Sequence, residues 1–419
     1  MKKIHFFVLL CLPILFTACT KDTGTLQVTY NKATAIYGDL DDVRSQPVNS
    51  SVRAIDNPGK IYIAEDLILL GEEEQGVHVI DNSDEANPQT VNFINIPGNR
   101  EYFVKGDFLY AESYYDVVKL DISDPMNATL VNRAEFVFTE EMRNNEGETL
   151  LGFSFEEITE EVDQSSDLYN EIMSGNFVYV DFAQRVIPRS AVPASFAGNS
   201  SAQSGTVNRV THYNDHVYVL GRSDLNIIND DADFAVVAQQ ANIGEEMETI
   251  FPYQDKLFIG SRASMEIYDI SNPEAPTLQY TFSHATSCDP VLPADGAAYV
   301  SLRTGDFSEC PGDVNSLIVL NIENLRNPQQ EAEIPMSSPY GMAKIGNYLF
   351  VGEGANGLTI FDATNPLDLQ QVAHNGEIEA YDILAHPSRT DFILIAGTGG
   401  LEQYALDGLD FDLASKINY

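Results

Sequence analysis

The stretch SMEIYDISNPEAPTLQY, Ser264 to Tyr280, is one copy of a phrase that recurs along the chain. DVVKLDISDPMNATLV begins at Asp116, GVHVIDNSDEANPQTV at Gly76 and GLTIFDATNPLDLQQV at Gly357. A repeated short unit cannot bury its apolar face alone, so the copies must stack on one another. Residues 245–284 show its parts: METIFPY, the turn QD, the alternating runs KLFIGS and MEIYDI, the turn cluster SNPEAP, and TLQYTFS. Four short strands separated by turn residues within about 40 residues are the signature of a propeller blade. The Asp that closes the third run accepts backbone N–H groups two residues on, and the following Pro prevents a helix. These residues punctuate the chain and need no catalytic explanation.

Registered on that position, the copies fall at Asp81, Asp121, Asn229, Asp269, Asn321, Asp362 and Ala405, at intervals of 40, 108, 40, 52, 41 and 43. Asn229 and Ala405 mark weak copies. The two long intervals mark insertions, one spanning 137–205 and one containing TGDFSECPGD. Before each phrase comes a run rich in Tyr, Phe and β-branched residues: GKIYIAE, GDFLYAE, DHVYVLG, DKLFIGS, GAAYVSL, GNYLFVG and DFILIAG. These read as second strands suited to packing between blades. The expected fold is all-β, a closed seven-bladed β-propeller over 51–419 with one partly helical insertion between the second and third blades. In that insertion, EEITEEVDQSSDLYNEIM has helix-forming composition, with Ile158, Val162, Leu168 and Ile172 at roughly helical spacing. A lid or binding loop and a decorative surface excursion are equal readings of it.

The N-terminus, with Lys2, Lys3, IHFFVLLCLPILF and small Ala18 before Cys19, has the pattern of a secretory signal. FTAC resembles the bacterial lipobox, which implies cleavage after residue 18, lipidation of Cys19 and a tether over 19–50. Thr20 following the Cys implies the outer membrane, and TKDTG is faintly similar to surface-export signals of Bacteroidetes lipoproteins. TLQVTYN in the tether is a candidate closing strand. No other stretch approaches the roughly 20 apolar residues of a membrane span.

The formal charge is -40, with 63 acidic residues against 23 basic. That disfavours nucleic acid and anionic headgroups as partners and suits saline surroundings. Cys11 and Cys19 belong to the leader, leaving Cys288 and Cys310 as an expected disulfide in an oxidising compartment. A metal site with His284 and a reactive dithiol are the alternatives, although no CxxC supports either.

The phrase resembles the LVIVD repeat of bacterial and archaeal cell-surface propellers, over residues 52–136 and 206–419. SCDPVLPADGAAYVSLRTGDFSECPGDVNSLIVLNIENLRNP, followed by PMSSPYGM, is especially similar to a Bacteroidetes lipoprotein branch. The resemblance implies a surface or periplasmic β-propeller and carries no catalytic residues with it.

Propellers place ligand sites at one mouth of the central channel. Counting back from the second strands puts Arg53, Glu101, Arg209, Asp289, Tyr340 and Asp382 near that inner ring. Mixed charges there suit a polar ligand, and equally suit pairing with each other. The scattered histidines contain no HExxH, the acidic turns lack the Ca2+-loop pattern, and there is no GxSxG. No catalytic, cofactor or metal residue is assigned. The favoured reading is an outer-membrane or cell-surface lipoprotein that binds or scaffolds an envelope protein or a glycan. The alternative is a propeller enzyme (hydrolase, lyase or oxidoreductase) acting on a sugar or small polar substrate at the mouth.

Overall fold

The structure, a computed structural model, describes residues 24–138, 143–174, 177–180, 186–187, 209–221, 224–244, 247–261, 264–283, 291–304 and 314–419. The chain divides into two compact units, residues 1–35 with 153–192, and residues 36–152 with 193–419.

The larger unit contains seven antiparallel sheets, each built from four consecutive strands. Blade 1 runs from Pro58–Ala64 to Gln89–Asn95, and blade 2 from Tyr102–Lys105 to Thr129–Ala134. Blade 3 runs from Val210–Tyr213 to Val236–Ala241, and blade 4 from Met247–Tyr253 to Thr277–Ser283. Blade 5 runs from Val291–Ala294 to Gln329–Pro335, blade 6 from Met342–Ile345 to Gln370–Asn375, and blade 7 from Asp382–Ala385 to Asp410–Ile417. The first strands of successive blades lie beside one another, and the first strand of blade 7 lies beside that of blade 1, so the ring closes. This is a β-propeller. Every blade is contiguous in sequence, so closure uses no N-terminal strand; TLQVTYN belongs to the smaller unit's sheet.

The registered positions are structurally equivalent. Asp81, Asp121, Asn229, Asp269, Asn321, Asp362 and Ala405 each pair with the first residue of the second strand: Leu67, Phe108, His216, Lys256, Ala297, Tyr348 and Phe392. Oδ1 of Asp81, Asp121, Asp269, Asn321 and Asp362 accepts the N–H of the residue two further on, at 2.8–3.0 Å. Asn229 instead donates to Asp231, and Ala405 has no such oxygen. Each blade also carries a bulge between its third and fourth strands, which increases twist toward the rim.

Seven apolar clusters hold the ring, one at each blade junction. Alternation explains them, because second and third strands send side chains to both neighbouring blades and have no solvent face. At the closing junction, Ile61, Ile68 and Leu70 of blade 1 pack on Leu384, Phe392 and Leu394 of blade 7. Burying each such side chain contributes about 1.5–3 kcal/mol.

Blade 1 has a fifth strand, because Asn49–Ser50 pairs with Gln89–Asn95 at the rim. A short helix, Leu40–Arg44, precedes it, capped by Asp39 and seated through Leu40 and Val43. Arg44 donates from Nε and Nη2 to the buried Asp116 of blade 2 at 2.9 and 3.0 Å. Arg133 and the N–H of Phe136 add two more bonds to that carboxylate. The segment thereby covers an edge that would otherwise expose unpaired backbone groups.

In the smaller unit, Thr25–Gly38 lies between Thr149–Asp163 and Phe177–Val180, parallel to the latter, with Val186–Ile187 beyond. The expected long helix is mostly strand. Ile158 and Val162 lie in Thr149–Asp163, and only Asp167–Ser174 is helical. Cross-strand bonds such as Tyr30 to Glu160, 2.7 Å, override the segment's helical spacing. No helix among the described residues is long and apolar enough to cross a membrane.

Candidate functional site: the charged mouth of the ring

The N-terminal ends of the first strands share one mouth. There, the residue opposite the second strand is Lys60 in blade 1, Glu101 in blade 2, Arg209 in blade 3, Thr249 in blade 4, Gly341 in blade 6 and Asp382 in blade 7. From blade 7 through blade 3 the order is therefore Asp382, Lys60, Glu101, Arg209, alternating in sign. Lys60 Nζ donates to Glu101 Oε2 at 3.0 Å, and the same oxygen lies 3.4 Å from the backbone N of Arg209. Arg209 Nη2 donates to the carbonyl of Leu220 at 3.2 Å, while its buried Nε has no hydrogen-bond partner.

Behind this strip lies Glu112, on the second strand of blade 2, its N–H bonded to the Glu101 carbonyl. Its carboxyl is pushed up to about 7, chiefly by burial, with Glu101 and Glu73 adding to the effect of Arg100 and Arg209 opposing it. A carboxyl in that range gains and loses a proton near neutrality. Arg100 is paired with Glu74.

A second, aromatic patch comes from blades 5 to 7. Tyr340 and Tyr381 meet edge to face with centroids 4.8 Å apart, and the Arg303 guanidinium lies 4.2 Å from the centre of the Tyr340 ring. The Tyr340 carbonyl accepts from Ser301 at 3.1 Å. Asp382 is buried, its Oδ1 accepting the N–H of Ile383. Gly341 is required beside it, since a Cβ there would collide with that oxygen and come within 2.9 Å of the Asp382 Cα.

Of the residues expected at the inner ring, the structure brings Glu101 and Arg209 together and places Tyr340 and Asp382 at the neighbouring first-strand ends of blades 6 and 7. Arg53 is a correction: it lies 3.7 Å from the centre of Phe93, on the fourth strand of blade 1, and donates to Gln75. The loop carrying it leaves the rim strand Asn49–Ser50, so it arrives from outside. Asp289, Cys288, Cys310 and Cys19 lie outside the described residues, as does the pairing of Cys288 with Cys310. Lys60, Glu112, Arg303 and Tyr381 were missed. Comparison of the seven copies would have found Glu112, because the other blades have Gly71, Leu220, Gly260, Ser301, Gly352 and Ala396 in its place.

Two blades fasten their incoming loops with a buried carboxylate. Glu72 accepts the N–H groups of Asp56 and Asn57 and contacts His78 at 3.0 Å. Glu353, in the equivalent place of blade 6, accepts from Ser337, Ser338 and Thr359, the last bonded in turn to His374. Burial lowers the His78 imidazole against the pull of Glu72. No group of three or more metal-ligating side chains occurs among the described residues.

The repeat itself has a match among known families. The LVIVD repeat model matches residues 255–283 and 342–371. The chain carries LVIVD repeats. The matched segments cover the second to fourth strands of blade 4 and blade 6 from its first strand into its fourth. Among curated proteins no sequence matches the chain. Among solved structures, a protein from Lactobacillus plantarum is similar at 13% identity and a TM-score of 0.51, covering 82% of this chain and 92% of that one. BamB from Moraxella catarrhalis is similar at 9% identity and a TM-score of 0.47, covering 81% and 82%. A functionally unknown protein from Desulfotomaculum acetoxidans is similar at 9% and 0.48, covering 86% and 95%. At these identities the likeness concerns fold alone.

Proposed function

We propose that this chain is a binding module of the cell envelope, with the charged mouth as its recognition surface. The observation that carries this reading is the alternating strip Asp382, Lys60, Glu101, Arg209. A chain with 63 acids and 23 bases places two of its few cations side by side with carboxylates at one strand end. Lys60 and Asp382 are buried in this strip, so a polar partner, a protein loop or a glycan, would meet the part-exposed Glu101 and Arg209, with Tyr340 and Tyr381 offering aromatic surface. The Arg209 guanidinium, part-exposed beside Glu101, is the group best placed to take a carboxylate from that partner. Lipidation of Cys19 and an outer-membrane location, periplasmic or at the surface, complete the proposal. Mass spectrometry of the mature N-terminal peptide should show a diacyl or triacyl Cys19; an unmodified N-terminus beyond residue 19 would remove the anchor. Replacing Arg209 with Ala should weaken partner binding at least tenfold while leaving the unfolding transition in place. Unchanged affinity would move the site away from the mouth.

A second reading rests on Glu112. A carboxyl titrating near 7 beside Arg209 can act as a general acid or base in a propeller enzyme. Turnover of a glycoside panel that disappears in Glu112→Gln but survives in Arg53→Ala would favour this reading over binding alone.

A further inference from the structure

Immediately after each registered turn residue comes a side chain that faces the preceding blade. It is apolar at five junctions: Ile122 packs on blade 1, Ile270 on blade 3, Ile322 on blade 4, Ala363 on blade 5 and Leu406 on blade 6. At the other two junctions it is Asn82, facing blade 7, and Asp230, facing blade 2. Asp230 accepts from Tyr110 and Lys119 of blade 2, each at 2.6 Å, and contacts His212 of its own blade at 3.0 Å. Asn82 accepts from Gln403 of blade 7 at 2.8 Å; Ser415 of blade 7 bonds the Glu85 carbonyl at 2.6 Å, and Arg389 pairs with Glu85. Other junctions also have polar contacts: Tyr218 and Tyr299 reach the Pro273 and Pro366 carbonyls, and Lys60–Glu101, Tyr213–Asp255 and Lys344–Asp295 pair side chains, but none of these stands at the position after the registered turn residue. Only at the 2/3 and 7/1 junctions does a polar side chain replace the apolar residue of the repeat.

These two junctions differ from the rest in connectivity. Between blades 3 and 4 the chain passes directly from Ala241 to Met247, whereas between blades 2 and 3 it runs from Ala134 to Val210. Blades 7 and 1 are neighbours in the ring but the most distant in sequence. Blade 3 is therefore tied to blade 2 far less closely through the chain than a directly linked neighbour is. Apolar packing discriminates poorly among seven similar blade faces. A part-buried carboxylate discriminates better, because docking against any face without Lys119 and Tyr110 leaves it with His212 of its own blade alone.

We propose that the ring consists of two arcs, blades 1–2 and blades 3–7, which recognise each other through polar keys at Asp230 and Asn82, and that it opens at these two seams before any other. The cost of desolvating the keys is offset by register, the role for which buried polar groups are best attested.

Native-state hydrogen exchange of the full chain, read by mass spectrometry, tests this. The facing second strands, Phe108–Ser113 with His216–Leu220 and Leu67–Glu72 with Phe392–Gly397, should exchange together and at least tenfold faster than Lys256–Ser261 and Ala297–Leu302. Asp230→Asn, which preserves side-chain volume, should accelerate exchange at the 2/3 seam a further tenfold and leave blades 5 and 6 unchanged. Combining it with Lys119→Ala should add little, since both remove the same key. Equal protection at all seven junctions, acceleration spread evenly round the ring, or fully additive variants would each overturn the proposal.

Discussion

Glu112 is a carboxylate in a place that six other blades give to small or apolar residues, and the cost of that choice can be measured. Burial pushes its carboxyl from the ordinary 4.5 up to about 7. Each tenfold change in proton affinity corresponds to about 1.4 kcal/mol, so the ionised form costs the folded protein roughly 3 kcal/mol. The sign follows from proton uptake. Between about 4.5 and 7 the folded state holds a proton on this group that the unfolded chain has released. Stability contributed by Glu112 is therefore highest at low pH, falls as pH rises through that window, and carries the full penalty above about 7. Glu112→Gln keeps the shape and cannot ionise. Urea unfolding followed by tyrosine fluorescence from pH 5 to 8.5 should give stabilities within about 1 kcal/mol of each other at pH 5. At pH 8 the variant should be the more stable by up to about 3 kcal/mol. Parallel profiles, or a variant weaker at every pH, would refute the reasoning and place the carboxylate in a compensated environment.

Three other substitutions probe separate parts of the ring. Phe392→Ala empties a fully buried position at the closing junction and should cost about 3–5 kcal/mol by denaturant unfolding, as the cavity between blades 7 and 1 cannot collapse. Gly341→Ala forces a methyl group onto Asp382 and should cost about 1–3 kcal/mol, with hydrogen exchange rising at Met342–Ile345 and Asp382–Ala385; an unchanged midpoint would mean that the two strands part freely. Arg44→Ala leaves Asp116 with Arg133 and one backbone N–H, and should cost about 2 kcal/mol and expose the rim strand Asn49–Ser50 to proteolysis.

Much of the ring was legible because its punctuation is local. An Asp that bonds the N–H two residues on does so wherever it stands, so the repeat could be registered by eye, and Lys256 to Asp269 or Tyr348 to Asp362 pair as that register requires. Blade 1 shows where local reading fails. GKIYIAE looks like the second-strand runs of the other blades, yet Pro58–Ala64 is the first strand and Leu67–Glu72 the second. Both segments are buried β-formers, and only their pairing distinguishes them; the shift hid Lys60 from the inner ring. The helix expected around Ile158 failed for a related reason, since its partner strand lies more than a hundred residues earlier and leaves no mark at helical or strand spacing. The mouth was half legible. Glu101 and Arg209 stand at strand starts that can be counted and Glu112 stands out among the seven copies, whereas Arg303 and Tyr381 acquire meaning only once neighbouring blades are in place.

The central claim is that the mouth recognises a partner through its alternating charges. Its most direct test is cross-linking in intact native cells followed by affinity capture, comparing the wild-type chain with Arg209→Glu expressed at equal level and shown to be folded. The account predicts one stoichiometric envelope protein or glycan with the wild type and its loss from the variant, because the reversed charge breaks the sign order of Asp382, Lys60, Glu101 and Arg209. Capture of the same partner in the same amount by both proteins, or capture of the propeller alone by both, would contradict it.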